Sequence, residues 1–108
     1  MNTLVEIVQA AQRGDERAYP LIVQRFEDAA QGWAYAVLGD YHLAQDAVQE
    51  AFAEAFSCLA KLREPAAFPG WFKRIVIKRI DRITRGKKLP TVSLEAAGDV
   101  GESADSSS

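Results

Sequence analysis

The sequence predicts an all-α domain in which about four helices pack side to side, and three observations support this fold class. Apolar residues recur at intervals of three and four along most of the chain, which is the helical period. Glycine, proline and aspartate interrupt the apolar stretches at a few points. No segment shows the sustained alternation of apolar and polar residues that is typical of a strand. Together these patterns favour a compact helical bundle.

The first half of the chain contains two predicted helices. The first carries apolar residues at helical spacing before a stop at Gly14: Leu4, Ile7, Val8 and Ala11. Asp15 is the predicted N-cap of the second helix, and Pro20 falls early enough to be tolerated, because few N–H groups of a first turn have partners. The apolar stripe of this second helix is Ile22, Phe26, Ala29, Ala30, Trp33 and Val37.

The second half contains the other two helices. The third is predicted from about residue 41 to 62, and its buried face is Val48, Phe52, Ala55, Phe56 and Leu59. Two prolines and a glycine then break the pattern over residues 63–70. The fourth helix is predicted to begin near Trp71 and to fade around 85–87, with a buried face of Phe72, Val76, Ile80 and Ile83.

Charge is distributed unevenly along the chain. Residues 1–60 have a net charge of −6 and residues 89–108 one of −4, whereas residues 61–88 hold ten basic residues against two acids and sum to +8. Clustered cations repel one another, so such a block beside an acidic body indicates an anionic partner. Scattered cations more commonly just solvate an exposed helix face.

The fourth helix concentrates these cations on one face, which lies about 200° around the axis from its apolar face. We call this face the cation row; its members are Arg74, Lys78, Arg82 and Arg85, with Lys73 and Arg79 beside them. Cations at this pitch suit the phosphates of a nucleic-acid strand. If six of them bind phosphates, the log–log dependence of affinity on salt should have a slope of about −4 to −5.

Two further sets of residues are candidates for binding. Phe68 and Trp71 lie just before the cation row, and unpaired bases stack on such rings, although both rings can equally belong to the core. The third helix has a polar face consisting of Asp46, Gln49, Glu50 and Glu54. That face is either solvated or pairs with basic residues of a partner protein.

Several functional classes are disfavoured. His42 is the only histidine, and we find no paired metal-ligand spacing, no phosphate-binding glycine loop and no nucleophile–base pair, so we predict neither an enzyme nor a metal or cofactor site. The single cysteine, Cys58, is interpreted as a small buried residue. No apolar run approaches the roughly 20 residues of a membrane span, and the N-terminus does not resemble a signal peptide. We therefore predict a cytoplasmic protein.

Two motifs connect the chain to a known family. The string DAVQEAFAEAF at 46–56, followed by FPGWFKRIVIKRIDRITR at 68–85, resembles bacterial RNA polymerase sigma factors of the extracytoplasmic-function type. The match is to their first globular domain, region 2, and the domain is predicted at residues 1–88. In that family the D-x-x-Q-E helix binds the clamp helices of the polymerase β′ subunit. The resemblance assigns this role to Asp46, Gln49 and Glu50, with Glu54 as a neighbour.

The resemblance also implies a DNA-binding role for the residues that follow. In the family, the next loop and basic helix bind the melted non-template strand of the minus-ten promoter element. Residues 61–70 would therefore receive a flipped base, and the cation row with its neighbours would hold the strand. Many relatives have Asn at the position of Lys78 and an acidic residue at that of Arg82, so base preference does not carry over.

The predicted function is a transcription initiation module that binds core RNA polymerase and recognises and melts the minus-ten element. An anti-sigma factor is a further partner that the resemblance allows. Residues 89–108 are predicted to be a linker or disordered tail, in a chain cut short before the family's second domain. The alternatives are a helical protein-interaction domain and a duplex-DNA-binding helix-turn-helix regulator. The long proline-containing loop over residues 63–70 argues against the second, which needs a turn of three or four residues.

Overall fold

The computed structural model describes residues 3–87, and the predicted linker at 89–108 lies outside them. Four α-helices follow one another: α1 (Leu4–Gln12), α2 (Ala18–Leu38), α3 (Tyr41–Cys58) and α4 (Phe68–Lys87). Two 3₁₀ turns, Leu59–Lys61 and Pro65–Ala67, lie in the α3–α4 connection. The part of the chain that is described contains no strand, and the predicted all-α class with four helices is confirmed.

Helix α1 has well-defined ends. Thr3 and Glu6 form a capping box, in which each side chain accepts a hydrogen bond from the other's backbone N–H at 3.2 Å. At the other end Gly14 adopts a φ of 93°, and its N–H donates to the carbonyl of Ala11 at 3.0 Å. The N–H of Asp15 donates to the carbonyl of Ala10 at 3.1 Å, which completes a Schellman motif. The stop predicted at Gly14 is confirmed.

Helix α2 begins at Ala18, two residues later than an N-cap at Asp15 predicts. The carboxylate of Asp15 accepts a hydrogen bond from the N–H of Arg17 at 3.0 Å, so Asp15 closes a turn ahead of the helix and does not cap it. Pro20 is the third residue of α2, where no intrahelical N–H bond is lost. The next boundary is sharp, because Gly39 takes a φ of 64° and Asp40 caps α3 through the N–H of Leu43.

Helix α4 begins at Phe68 and not near Trp71. The predicted break at Pro69 is wrong because that proline falls in the first turn of the helix, where its missing N–H costs nothing and its fixed φ suits a helix start. The end of α3 also differs slightly from the prediction. It is α-helical to Cys58, and a 3₁₀ turn then takes the chain to Lys61.

The core forms where α3 packs against both α2 and α4. Small side chains on α3 are fully buried at the contact: Ala44, Ala47, Ala51 and Ala55. A cluster of four phenylalanines fills the centre, with Phe52 stacked on Phe72 at 4.6 Å and Phe68 stacked on Phe72 at 5.5 Å between ring centroids. Phe26 of α2 completes the cluster at 5.3 Å from Phe68.

Four predicted core positions are wrong or partly wrong. Phe56 is 62% exposed, because it lies about 100° around α3 from the centre of the buried stripe. Its ring packs against Tyr19 at the edge of the bundle, with 5.0 Å between the two ring centroids. Ala29 and Val37 of α2 are exposed, and Cys58 is half-buried and not fully enclosed.

Candidate nucleic-acid interface

Helix α4 separates its two faces as its sequence predicts. Phe72, Val76 and Ile80 are buried, and Ile83 is half-buried. The opposite face is exposed over most of the cation row and its neighbours, at Lys73, Arg74, Lys78, Arg82 and Arg85. Since the apolar face is fixed in the core, these cations have a defined direction relative to the rest of the domain.

Phe68 and Trp71, the two aromatic residues before the cation row, differ in how deeply they are buried. Phe68 is completely buried, and its ring packs against Phe26 and Phe72, so its predicted contact with a DNA base is corrected: the ring is part of the core. The reason is the early start of α4, which extends the buried positions to 68, 72, 76 and 80. That spacing of four was the signal available in the sequence. Trp71 is half-buried and lies 5.7 Å from Phe68 between ring centroids, which leaves part of the indole accessible.

A second tryptophan lies beside the cation row and was not predicted there. The ammonium of Lys73 is 5.0 Å from the ring centroid of Trp33, a cation–π arrangement between α4 and α2. Trp33 is half-buried, as a member of the α2 stripe. Its proximity to Lys73 depends on how the two helices pack, so no local sequence signal indicates it.

The polar face of α3 is partly available to a partner. Asp46, Gln49 and Glu50 are exposed, whereas the side chain of Glu54 is only 17% exposed. Glu54 lies in the contact between α3 and α4. An open groove runs along this contact, lined by Glu50, Ala53, Glu54, Ser57 and Arg79.

The two predicted binding surfaces meet at an ion-pair cluster that joins α3 to α4. The ammonium of Lys78 lies 2.6 Å from Oε2 of Glu54, and Nε of Arg79 lies 2.9 Å from its Oε1. Nη1 of Arg79 also lies 3.6 Å from Oε1 of Glu50. We call these four residues the α3–α4 ion-pair cluster. Two residues predicted to bind DNA are therefore bound to residues predicted to bind polymerase.

The electrostatics of this cluster favour the ionised form of Glu54. The hydrogen bond from Lys78 is the largest cause of a lowered pKa at the Glu54 carboxyl, and partial burial opposes it without reversing it. Lys78 keeps 54% of its side chain exposed, so the cluster restrains its ammonium without removing it from solvent. Arg79 is more enclosed, with 22% of its side chain exposed.

The remaining cations differ in their partners. Nη2 of Arg85 pairs with Oδ2 of Asp81 at 2.8 Å, one turn earlier on α4. Within residues 3–86, Arg74 and Arg82 have no carboxylate within ion-pair distance. Arg74 and Arg82 are thus the cations of the row that can bind an anion without first breaking an ion pair.

No other chemistry is evident in the described part of the chain. Residues 3–87 contain no group of three or more His, Cys, Asp or Glu side chains placed to hold a metal ion. None of the helices in this range combines the length and the apolar content needed to cross a bilayer.

Comparison with known proteins identifies a family. The model of the sigma-70 region 2 family matches residues 22–89. The RNA polymerase sigma-H factor of Pseudomonas aeruginosa is 33% identical over 93 residues, which cover 84% of this chain and 48% of that protein. The ECF RNA polymerase sigma factor SigW of Bacillus subtilis is 32% identical over 95 residues, covering 87% and 51%. The ECF RNA polymerase sigma-E factor of Escherichia coli is 30% identical over 94 residues, covering 83% and 48%.

The chain spans about half the length of these curated relatives. No solved structure matches it. The matched residues contain most of α2, α3 with its D-x-x-Q-E motif and the basic helix α4, and α1 precedes them. The chain therefore belongs to the sigma-70 region 2 family, and it is similar to region 2 of sigma factors of the extracytoplasmic-function type.

Proposed function

We propose that this domain is a transcription initiation module that binds core RNA polymerase through α3 and the melted minus-ten strand through α4. The single observation that carries the proposal is the exposed pair Arg74 and Arg82 on a helix whose other face is fixed in the core. Because the buried face fixes the backbone of α4, only the side chains of these arginines lose conformational freedom when they bind phosphates. The proposal includes no catalytic chemistry.

The polymerase-binding face in this proposal is smaller than the motif alone implies. Asp46, Gln49 and Glu50 are exposed on α3 and can reach basic residues of the polymerase clamp helices. Glu54 is engaged with Lys78 and Arg79, so we leave it out of the docking face. A role on polymerase and promoter places the protein in the cytoplasm. An anti-sigma factor stays a prediction of the family resemblance.

The proposed DNA-binding face likewise contains fewer residues than the sequence predicts. Three exposed cations of α4 have no carboxylate partner among residues 3–86: Lys73, Arg74 and Arg82. If each of them binds one phosphate, the log–log dependence of single-strand affinity on salt has a slope of about −2. If the strand also recruits Lys78 from its ion pair, the slope becomes about −3. Trp71 offers a partly accessible ring on which one base can stack.

Melting follows from a difference in affinity between two states of the promoter. A ligand shifts an equilibrium only by its differential affinity, so the domain must bind the open strand more tightly than the closed duplex. The partly accessible Trp71 ring supplies that difference, because a base paired within a duplex cannot stack on it. Phosphate contacts alone do not distinguish the two states as sharply.

Oligonucleotide binding tests the DNA part of the proposal. We expect a single strand to bind more tightly than a duplex of equal length. Preference for the duplex would favour a helix-turn-helix regulator, and no binding to either form would favour a protein-interaction domain. Both outcomes contradict the proposal.

Recovery of core polymerase tests the protein part. Replacing Gln49 and Glu50 together by Ala should reduce the amount of core polymerase that the chain retains, with helicity unchanged. The matched control replaces Gln24 and Glu27, which are exposed on α2, by Ala. Equal recovery with the two double variants would remove the proposed docking face.

A further inference from the structure

A side chain of α1 forms hydrogen bonds with the α3–α4 connection. Gln12 is the last residue of that helix, and its side-chain amide donates two hydrogen bonds across the domain. Nε2 lies 3.0 Å from the carbonyl oxygen of Leu59 and 2.9 Å from that of Leu62. These carbonyls belong to residues 47 and 50 positions further along the chain. One side chain thus satisfies two carbonyls at the beginning of the connection.

The position of Gln12 is itself fixed by the end of α1. The Schellman motif around Gly14 holds the last turn of this helix in one geometry, and Gln12 lies directly within that turn. Helix α1 also packs against both 3₁₀ turns of the connection. The amide of Gln12 therefore reaches the connection from a rigid support and not from a mobile loop.

The connection has few other restraints among the described residues. Leu62 and Phe68 are buried and anchor it at two points. Most side chains between them are exposed, and the 3₁₀ turns are closed by short-range backbone hydrogen bonds, among them those from Leu62 to Leu59 at 3.1 Å, from Ala67 to Glu64 at 2.8 Å and from Phe68 to Pro65. Such short turns have poor hydrogen-bond geometry and little stability of their own. The two bonds from Gln12 thus add long-range restraints to a connection that is otherwise held by local hydrogen bonds and by packing.

We propose that Gln12 is a positioning residue, which holds the α3–α4 connection in the conformation that accepts an unstacked base. This inference rests on the proposed function, in which a base stacks on Trp71, and on the family resemblance, which assigns a flipped base to residues 61–70 directly before that ring. A loop that samples several conformations binds in proportion to the fraction that is competent. By fixing two carbonyls, Gln12 raises this fraction without touching DNA. Helix α1 thereby contributes to strand recognition, although the family match begins only at residue 22.

The first test measures the connection itself, without DNA. Met has nearly the length of Gln and no N–H donor, so Gln12→Met removes both hydrogen bonds. We expect hydrogen exchange of the Leu62 and Ala67 amides to become faster by about tenfold, with core amides of α2 following only the change in global stability. The control is Gln9→Met, the same substitution at an exposed position of the same helix. Unchanged exchange at Leu62 and Ala67 would overturn the inference.

The second test measures base capture. The probe is a short single strand selected from a randomised pool on the wild-type 108-residue chain, compared with versions from which each base has been removed in turn. At the position where base removal weakens wild-type binding most, we expect Gln12→Met to reduce the preference for the intact strand severalfold, by up to about tenfold. The salt slope should stay the same, since no phosphate contact changes.

These measurements separate two failures. A preference for the intact strand that is as strong in Gln12→Met as in the wild type, whether or not thermal stability falls, would show a merely structural role and overturn the inference alone. A wild-type chain that retains no single strand, or that is indifferent to every base removal, would refute base capture in the proposed function and this inference with it.

Discussion

Glu54→Gln is the substitution that most sharply tests how the two proposed surfaces are connected. The amide has the shape of the carboxylate but no charge, so the change leaves packing intact while it removes the attraction to Lys78 and Arg79. Both cations lie within hydrogen-bond distance of this carboxylate, at 2.6 and 2.9 Å. We expect the substitution to lower stability and at the same time to raise affinity for a single strand.

The two magnitudes follow from the geometry. Lys78 is 54% exposed and Arg79 22%, so solvent screens the cluster and its loss should cost only about 1 kcal/mol of unfolding free energy. Released Lys78 adds one phosphate contact, which steepens the salt slope by about 0.7. At about 0.1 M salt the same contact raises affinity by about fivefold. A purely destabilising change would lower affinity instead.

Titrations of a labelled single strand at several salt concentrations measure both quantities. The matched control is Glu27→Gln, which makes the same change of charge at an exposed position of α2. We expect only Glu54→Gln to steepen the slope. If the two variants have equal slopes and affinities, Glu54 does not withhold Lys78 from the strand, and our reasoning on the ion-pair cluster is wrong.

The comparison of the wild-type chain with Glu54→Gln also gives a prediction for the pH dependence of stability. Folding lowers the pKa of Glu54 from its ordinary value of 4.5, mainly through the hydrogen bond from Lys78. A carboxyl with a lowered pKa contributes stability that is fully present above the ordinary value and is lost as pH falls through the lowered one. The stability difference between wild type and Glu54→Gln should therefore be constant near neutral pH and shrink at pH below 4.5. A difference that grows on acidification would contradict this.

Two further predictions concern side chains of α4. Phe68→Ala should cost about 3–5 kcal/mol of unfolding free energy because it empties the centre of the core. Trp71→Ala should instead mainly weaken strand binding, by about 1–3 kcal/mol. Thermal unfolding and strand titration of both variants separate the two roles, and equal losses of stability in the two variants would contradict this assignment. Thr84 is buried, and its hydroxyl has no hydrogen-bond partner within the described residues. Thr84→Val should therefore raise the unfolding free energy by about 1 kcal/mol, and a lower melting temperature would show that the hydroxyl is satisfied.

The helices could be predicted because their signals are local. Apolar spacing, Gly14, Gly39 and Asp40 define elements from residues close in sequence, and the structure places the boundaries there. The errors arose where two local rules compete. Asp15 can cap a helix or close its own turn, and Pro69 can end a helix or begin one. Only the packing of α4 on the core decides the second case.

The candidate site was predicted less completely because its contacts join distant residues. Composition indicates that α4 is basic and that α3 is polar, but it does not indicate that Lys78 and Glu54 meet. That contact depends on how the two helices pack, as does the position of Lys73 over Trp33. The bonds from Gln12 to the α3–α4 connection are a further example, with no periodic pattern to reveal them.

The salt dependence of single-strand binding tests the central claim most directly, namely that exposed cations of α4 hold the phosphates of an opened strand. The wild-type chain should show a log–log slope of about −2 to −3, and the double variant Arg74→Gln, Arg82→Gln should bind more weakly with a slope closer to zero by about 1.4. The control, Arg13→Gln with Arg17→Gln on the turn between α1 and α2, should keep the wild-type slope. A wild-type slope near zero, or equal slopes in the two double variants, would contradict the account.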